Sequence, residues 1–523
     1  MKRSMLALLG ATAVIVAGCG GSSNNSSDAG PIPLTVPKAS CGSGDKPETA
    51  LQGQVPAALR AAGFTGFNCN LQLVGQSKGD GANWQTTQFK DKAGHTCGYH
   101  GTSFSTAGRT QLGVRVIDLT DPTKPTSPMS LTTVSMLDPW ESLKVNERRQ
   151  TLAADNGHNG GGGPEIDIYD LSGDCRAPQL LSSVAIGKAD ATTGVVGTVV
   201  GHEGSWAPDG LTYYGGDLRS NGGQYYAVDT TDLTKPKLLA TWTPGVSNVH
   251  GLSISDDGMR GYMVALGGPP FGQSPPVLRT AATANNGLLI YDLSDIQLRK
   301  ANPQAKLISK LLFIDGAGAQ HTINVKIAGK PYIIFVDEVG PGGFGDNVGL
   351  QTACDAKLPV FSMARIIDIG NEAAPVQTSR LMLETHDPAN CAKVLPDLVG
   401  LSIFTYGSHY CSVDNRLNAT TLACGYFNSG IRVFDIRTPD RPKEIAYYNP
   451  PGVTTPSPGS NHGFGGAAGI GGGKPDWCSA QIHLNAATAS LWTTCQDNGI
   501  LSLKFTNGVW PFPESSTPAG QQN

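Results

Sequence analysis

Charge is scarce in this 523-residue chain. Asp, Glu, Lys and Arg make up 15% of it, and 42 acidic against 38 basic residues leave a formal net charge of -4. Such a composition offers no basic footprint for a phosphate backbone, which argues against nucleic acid as a partner. Helical periodicity is also scarce. Beyond residue 16 no apolar run is long enough to cross a bilayer. No CxxC spacing occurs, which argues against a zinc ribbon or a thioredoxin-like centre. No H-E-x-x-H pair is present, so a zincin reading lacks its ligands. The glycine-rich stretches from Asn156 and from Gly459 lack the helix or the G-K-[ST] ending of a phosphate loop, and read as loops over one face.

Glycine (67) and proline (35) are abundant, and the apolar runs are short and alternating. These are the marks of an all-β protein, and at this length a repeat architecture is the natural expectation. The N-terminus is different. Lys2 and Arg3 precede an apolar run from Met5 to Val16, too short to span a bilayer and suited to a secretory signal. The "VAGCG" that follows resembles the lipobox of bacterial lipoproteins, which implies a signal peptide over 1–18 and lipid on Cys19. The alternative is a soluble secreted protein with a chance cysteine. Gly20, where an aspartate would retain a lipoprotein at the inner membrane, implies sorting to the outer membrane. The expected partner is therefore a membrane, reached through the anchor, with residues 19–64 as a flexible tether.

Of eleven cysteines, setting Cys19 aside leaves ten, an even number that reads as disulfides in an oxidising compartment. Cys411 with Cys424, and Cys478 with Cys495, each bracket a strand–turn–strand unit. Cys354 and Cys391 fall in two long insertions and are expected to pair across them. Cys41, Cys69, Cys97 and Cys175 have no assignable connectivity.

One strand recurs: "GVRVIDLTDPTKP" from Gly113, "PEIDIYDLSGDCRAP" from Pro164, "QYYAVDTTDLTKP" from Gln224, "NGLLIYDLSD" from Asn286, "ARIIDIGNEAAP" from Ala364 and "SGIRVFDIRTPDRP" from Ser429. A degenerate copy, "NGILSLKF", begins at Asn498. Each of the six full copies ends on an aspartate (Asp118, Asp170, Asp229, Asp292, Asp368, Asp435) that caps a tight turn. From Gly113 to Phe505 these segments resemble the LVIVD repeat of bacterial cell-surface β-propellers. The resemblance implies a seven-bladed propeller of four-stranded antiparallel blades over 65–510, followed by a tail over 511–523. The last copy lacks an outer strand, and "CNLQLVGQ" from Cys69 is expected to supply it and close the ring.

In a blade the first strand is innermost, so residues just ahead of it gather at one mouth of the central channel. Those positions hold Trp140, His202, His250, His321, His409 and His483. The far ends of the second strands add His100, His158, Asp217, Arg219, Asp337, Glu338 and Asp497. The histidines have two competing readings. In one, each braces its own blade, as the glycine–histidine pair of tryptophan–aspartate repeats does, and "GHEGS" at His202 fits that pattern. In the other, His202, His250, His321, His409 and His483 form a ligand pool for one transition metal ion, copper, iron or zinc. Glu203 or Glu338 would then serve as outer support or proton acceptor. A metal-free funnel for a polar ligand is the third outcome. Two functions follow: an envelope-anchored platform that binds a protein or small molecule at its upper mouth, or a metal-dependent oxidoreductase.

Overall fold

A computed structural model describes residues 34–102, 108–157, 164–187, 199–218, 223–267, 278–344, 347–401, 403–460 and 475–515. Cys19, His158 and Arg219 lie outside the described residues. The strands form seven antiparallel sheets, the blades of a propeller, spanning 86–131, 144–184, 203–242, 252–313, 319–380, 411–449 and 483–505 in chain order. Each first strand faces the axis. Ring closure is visible where Thr86 of blade 1 donates its backbone N–H to Gln481 Oε1 of blade 7 at 3.0 Å.

The recurrent aspartates do one physical job. The side chains of Asp118, Asp170, Asp229, Asp292, Asp368 and Asp435 each accept the backbone N–H two residues on, at 2.7–3.1 Å. That Asx turn reverses the third strand into the fourth. The pairing between those two strands then slips by one residue in all seven blades. Such bulges add right-handed twist, which the stacked blades need.

Leu71–Ser77 pairs with Gly499–Phe505 as the outer strand of blade 7, the closure anticipated from Cys69 onward. Blade 6 departs from the four-stranded expectation. Phe67–Cys69 adds to the outside of Lys443–Asn449 and makes it five-stranded. Between the two added strands Asn70 sits at φ 57°, a left-handed conformation that asparagine tolerates. Its side-chain amide donates to the backbone carbonyls of Ile445 (2.8 Å) and Ser40 (2.9 Å), so one short segment clips blade 6 to blade 7.

Residues 34–64, expected as tether, pack along the blades. Val36 N–H donates to Met382 O at 2.9 Å, and Pro37 O accepts from Glu444 N–H at 3.1 Å. Buried Arg432 pairs with Glu444 at 3.0 Å and with Glu48 of this segment. A segment tied by backbone bonds and a buried ion pair cannot act as a free linker. In the tail, Phe512 stacks under the Arg437 guanidinium.

Five disulfides are present among the described residues: Cys41–Cys69, Cys97–Cys175, Cys354–Cys391, Cys411–Cys424 and Cys478–Cys495. The last three are those suggested by the spacing. The first ties the N-terminal segment to its added strand, and the second ties blade 1 to blade 2. No helix among the described residues is long and apolar enough to cross a membrane.

Candidate metal centre on the propeller axis

Three of the recurring histidines meet. His202, His250 and His409 each lie just ahead of the first strand of their blade, which begins at Glu203, Leu252 and Cys411 respectively. Their chains arrive at the axis before turning into the sheet, so the rings project inward. His202 Nε2 and His250 Nε2 stand 2.8 Å apart. Glu141, two residues after Pro139 at the head of blade 2, sits between the three rings. Its Oε2 lies 3.6 Å from His202 Nε2 and 3.4 Å from His250 Nε2, and its Oε1 lies 3.1 Å from His409 Nε2. Glu338 follows the second strand of blade 5 and completes the ring, 3.4 Å from His409 Nε2 and 3.9 Å from His250 Nε2. All five side chains are buried.

The other ring nitrogens of His250 and His409 are fixed from outside. His250 Nδ1 is 2.9 Å from Gln320 O and 3.2 Å from Glu203 Oε2. His409 Nδ1 is 2.7 Å from Ser479 O. A carbonyl can only accept, so Nδ1 carries the proton in both rings and Nε2 is the atom turned to the centre. Gln320 also donates its amide to Glu141 Oε2 at 3.2 Å. Glu203 supports His250 from behind and does not reach the centre itself.

Where protons supply the positive charge, the cluster is strongly polarised. Burial opposes ionisation of Glu141, but His250, His409 and His202 outweigh it and hold the carboxyl down to about 2. Burial likewise opposes charge on His250, yet Glu141, Glu203 and Glu338 raise it to about 9. Hydrogen bonds to Glu141 and Glu338 overcome burial at His409 and raise it to about 10. The site stabilises cations.

The remaining histidines of the anticipated pool do not join. His321 is the third residue of its strand, Ala319–Ile327, just past a bulge, so its ring points one layer deeper. It packs tilted against Tyr410 with centroids 4.7 Å apart, and its Nε2 accepts Cys411 N–H at 3.5 Å. His483 opens its strand opposite Trp492, lies flat on that ring, and bonds Thr86 of blade 1 at 2.9 Å. It braces the seam between the last blade and the first. Position within the strand decides the role: rings ahead of the strand meet on the axis, and rings inside it brace.

Among the second-strand residues, His100 is buried with Nδ1 2.8 Å from Gly101 O, away from the centre. Asp217 accepts from Gln224 Nε2 at 3.2 Å. Asp337 pairs with buried Arg365 at 2.9 Å, and Asp497 accepts Ser457 N–H at 2.7 Å. Sequence reasoning missed Glu141 and Gln320. The signal for Glu141 was its place beside Trp140, as Glu203 stands beside His202.

Trp84, Trp140 and Phe404 roof the cluster, with Phe427 and Trp477 behind them. The gap beneath this roof is about 40 Å³. Trp140 lies 5.4 Å from the His202 ring and Trp84 5.4 Å from the His409 ring, centroid to centroid. The arrangement is a buried, aromatic-capped nest of three imidazoles and two carboxylates inside a seven-bladed propeller.

No family model and no curated protein matches the sequence. Among solved structures, hydrazine synthase from Kuenenia stuttgartiensis aligns at 11% identity and TM-score 0.46, over 83% of this chain and 97% of that one. A 6-phosphogluconolactonase candidate from Bacteroides uniformis aligns at 11% identity and TM-score 0.47, over 81% and 93%. A functionally unknown protein from Desulfotomaculum acetoxidans aligns at 10% identity and TM-score 0.41, over 70% and 84%. Likeness at this level transfers neither activity nor site.

Proposed function

We propose that the chain is an exported, lipid-anchored propeller of the LVIVD type, facing the periplasm or cell surface, that holds one transition metal ion on its axis. Glu141, His202 and His250, whose ligand atoms lie within 4.8 Å of one another, are the core ligand set, with His409 and Glu338 beside them, and the reading is of a metal-dependent oxidoreductase. The supporting observation is the meeting of imidazole Nε2 atoms with carboxylate oxygens. With Nδ1 of His250 and His409 committed to carbonyls, both Nε2 lone pairs face Glu141 and Glu338. A lone pair and a carboxylate repel unless a cation lies between them. That cation is either a proton on Nε2, as the raised pKa values of His250 and His409 imply, or a metal ion that takes the proton's place. The gap between His202 and His250 can hold one proton at most, so a shared metal ion satisfies more of these atoms at once. Imidazole with carboxylate suits iron, copper or zinc. Such an ion would supply Lewis acidity and, if it is iron or copper, electron transfer.

This chain's own residues do the rest. Gln320 O and Ser479 O orient the imidazoles, Glu203 supports His250, and the Trp84, Trp140 and Phe404 roof excludes water. A small organic ligand entering beneath that roof would meet the centre directly. The anchored reading rests on the lipobox-like "VAGCG", and five disulfides are compatible with an oxidising compartment. The finer domain limits, 1–18 as signal and Cys19 as lipidated residue, belong to the same proposal.

The test is elemental analysis of the full chain isolated from its native compartment, beside His250→Ala and His321→Ala. The expected result is about one equivalent of metal in the parent and in His321→Ala, and none in His250→Ala. Equal metal content in all three, or none in the parent after exposure to copper, iron and zinc, refutes the centre. Labelled fatty acid incorporated by the parent and lost in Cys19→Ser is the expected result for the anchor.

A further inference from the structure

The channel has a second chamber on the other side of the cluster. It is a cavity of about 450 Å³, walled by the inner strands and lined toward its opening by Arg148, Asp256 and Arg416 near the far ends of those strands. Its opening is therefore on the face opposite the aromatic roof. Its inner end is formed by Lys144, Glu203 and Tyr410, with Glu203 separating it from His250.

Lys144 is in an unusual position there. Its side chain is 16% exposed, its nearest carboxylate oxygen is Glu203 Oε1 at 3.9 Å, and it makes no hydrogen bond among the described residues. The ammonium lies 5.5 Å from the Tyr410 ring centroid. An ammonium has three donors, and those of Lys144 face the chamber, where an incoming acceptor can take a charge-assisted hydrogen bond. The acids nearby are spoken for. Glu203 is held by His250 Nδ1, and Asp256 is paired with Arg416. Burial pushes Glu147 up to about 7, which removes part of its charge at neutral pH. Arg148 is exposed at the opening and makes no ion pair among the described residues. Lys144, held by Glu203 only at 3.9 Å, and Arg148 are left as the chamber's cations without a hydrogen-bonded acid among the described residues.

We infer that this chamber binds a small organic monocarboxylate, admitted from the face opposite the aromatic roof, with its carboxylate on Lys144 and its body against the Trp206 and Leu252 wall. The volume suits a ligand of modest size rather than a bare ion. The site stands on its own lining and does not depend on a metal above it.

The test is calorimetric titration of the full chain with lactate and benzoate, and with lactamide and benzamide as uncharged controls. Each titration is run on protein as isolated and on chelator-treated protein. The expected result is binding of the acids and not of the amides, unchanged by chelation. Lys144→Met should weaken it on the order of tenfold to a hundredfold, the loss of one charge-assisted hydrogen bond. Should Lys144→Met fail to fold, Arg148→Gln, at an exposed position, is expected to weaken binding about threefold and to steepen none of its salt dependence. Equal binding of acid and amide, or no binding of either, leaves a water-filled chamber and overturns the inference. Binding that disappears on chelation but ignores Lys144 also overturns it, and places the carboxylate on the axial metal.

Discussion

Two histidines outside the centre make the chain acid-sensitive in a defined window. His386 is fully buried, with Nε2 3.0 Å from Tyr406 O and Nδ1 accepting Leu383 N–H at 3.4 Å. Both nitrogens are thereby committed to the neutral ring. A second proton on Nδ1 would face the Leu383 N–H head on. Burial holds its pKa at about 4, against the ordinary 6.5. Because the folded value lies below the unfolded one, the unfolded chain binds the proton first as pH falls. Stability is therefore unaffected above about pH 6.5, declines between pH 6.5 and pH 4, and levels off below. The loss at pH 4 is about 3 kcal/mol from this residue. His100, with Nδ1 2.8 Å from Gly101 O, is also held to about 4 by burial and contributes a similar amount. The assay is potentiometric: proton uptake on unfolding in guanidinium at pH 5.2, parent against His386→Gln. The glutamine amide can still donate to Tyr406 O but cannot titrate, so uptake should fall by about 0.9 proton. An unchanged uptake, or a native His386 resonance titrating near 6.5, would refute the reasoning.

Arg432→Met removes the partner of two buried carboxylates, Glu48 and Glu444. It should cost about 3–5 kcal/mol in denaturant midpoint analysis, with most of that recovered when both glutamates are also made glutamine. Opening the Cys41–Cys69 bridge by replacing both cysteines with serine frees a loop of 28 residues. The expected loss is about 3–4 kcal/mol, and limited proteolysis should then cut first between residues 34 and 66.

The propeller was legible because its signal is local and repeated. Six aspartates at the ends of alternating apolar strands each announce the same Asx turn, and a turn of that kind depends only on residues two apart. The closing strand was legible for a different reason: a last blade without an outer strand leaves an edge open, and only "CNLQLVGQ" was unclaimed. The fifth strand, Phe67–Cys69, was hidden because three residues carry no period. The packing of residues 34–64 was hidden as well. Their composition is that of a linker, and what fixes them is a set of single long-range bonds, such as Glu48 to Arg432, that no local pattern reports.

The candidate site follows a sharper rule than recurrence. Histidine in one aligned register suggested five equivalent rings, but equivalence in a repeat is set by hydrogen-bond register, and a shift of one or two residues moves a ring from the axis into the sheet. His250 lies two residues before its strand and His321 two residues into its own, beyond a bulge that no sequence pattern marks. Glu141 reaches the centre because blade 2 begins late, at Lys144, which leaves its head free to cross the axis. The same late start puts Lys144 itself at the inner end of the lower chamber. One irregular blade thus supplies a carboxylate to the cluster above and an ammonium to the cavity below. Exchanging residues 139–144 for the corresponding head of another blade should therefore remove both metal and carboxylate binding while the disulfides and ring closure persist.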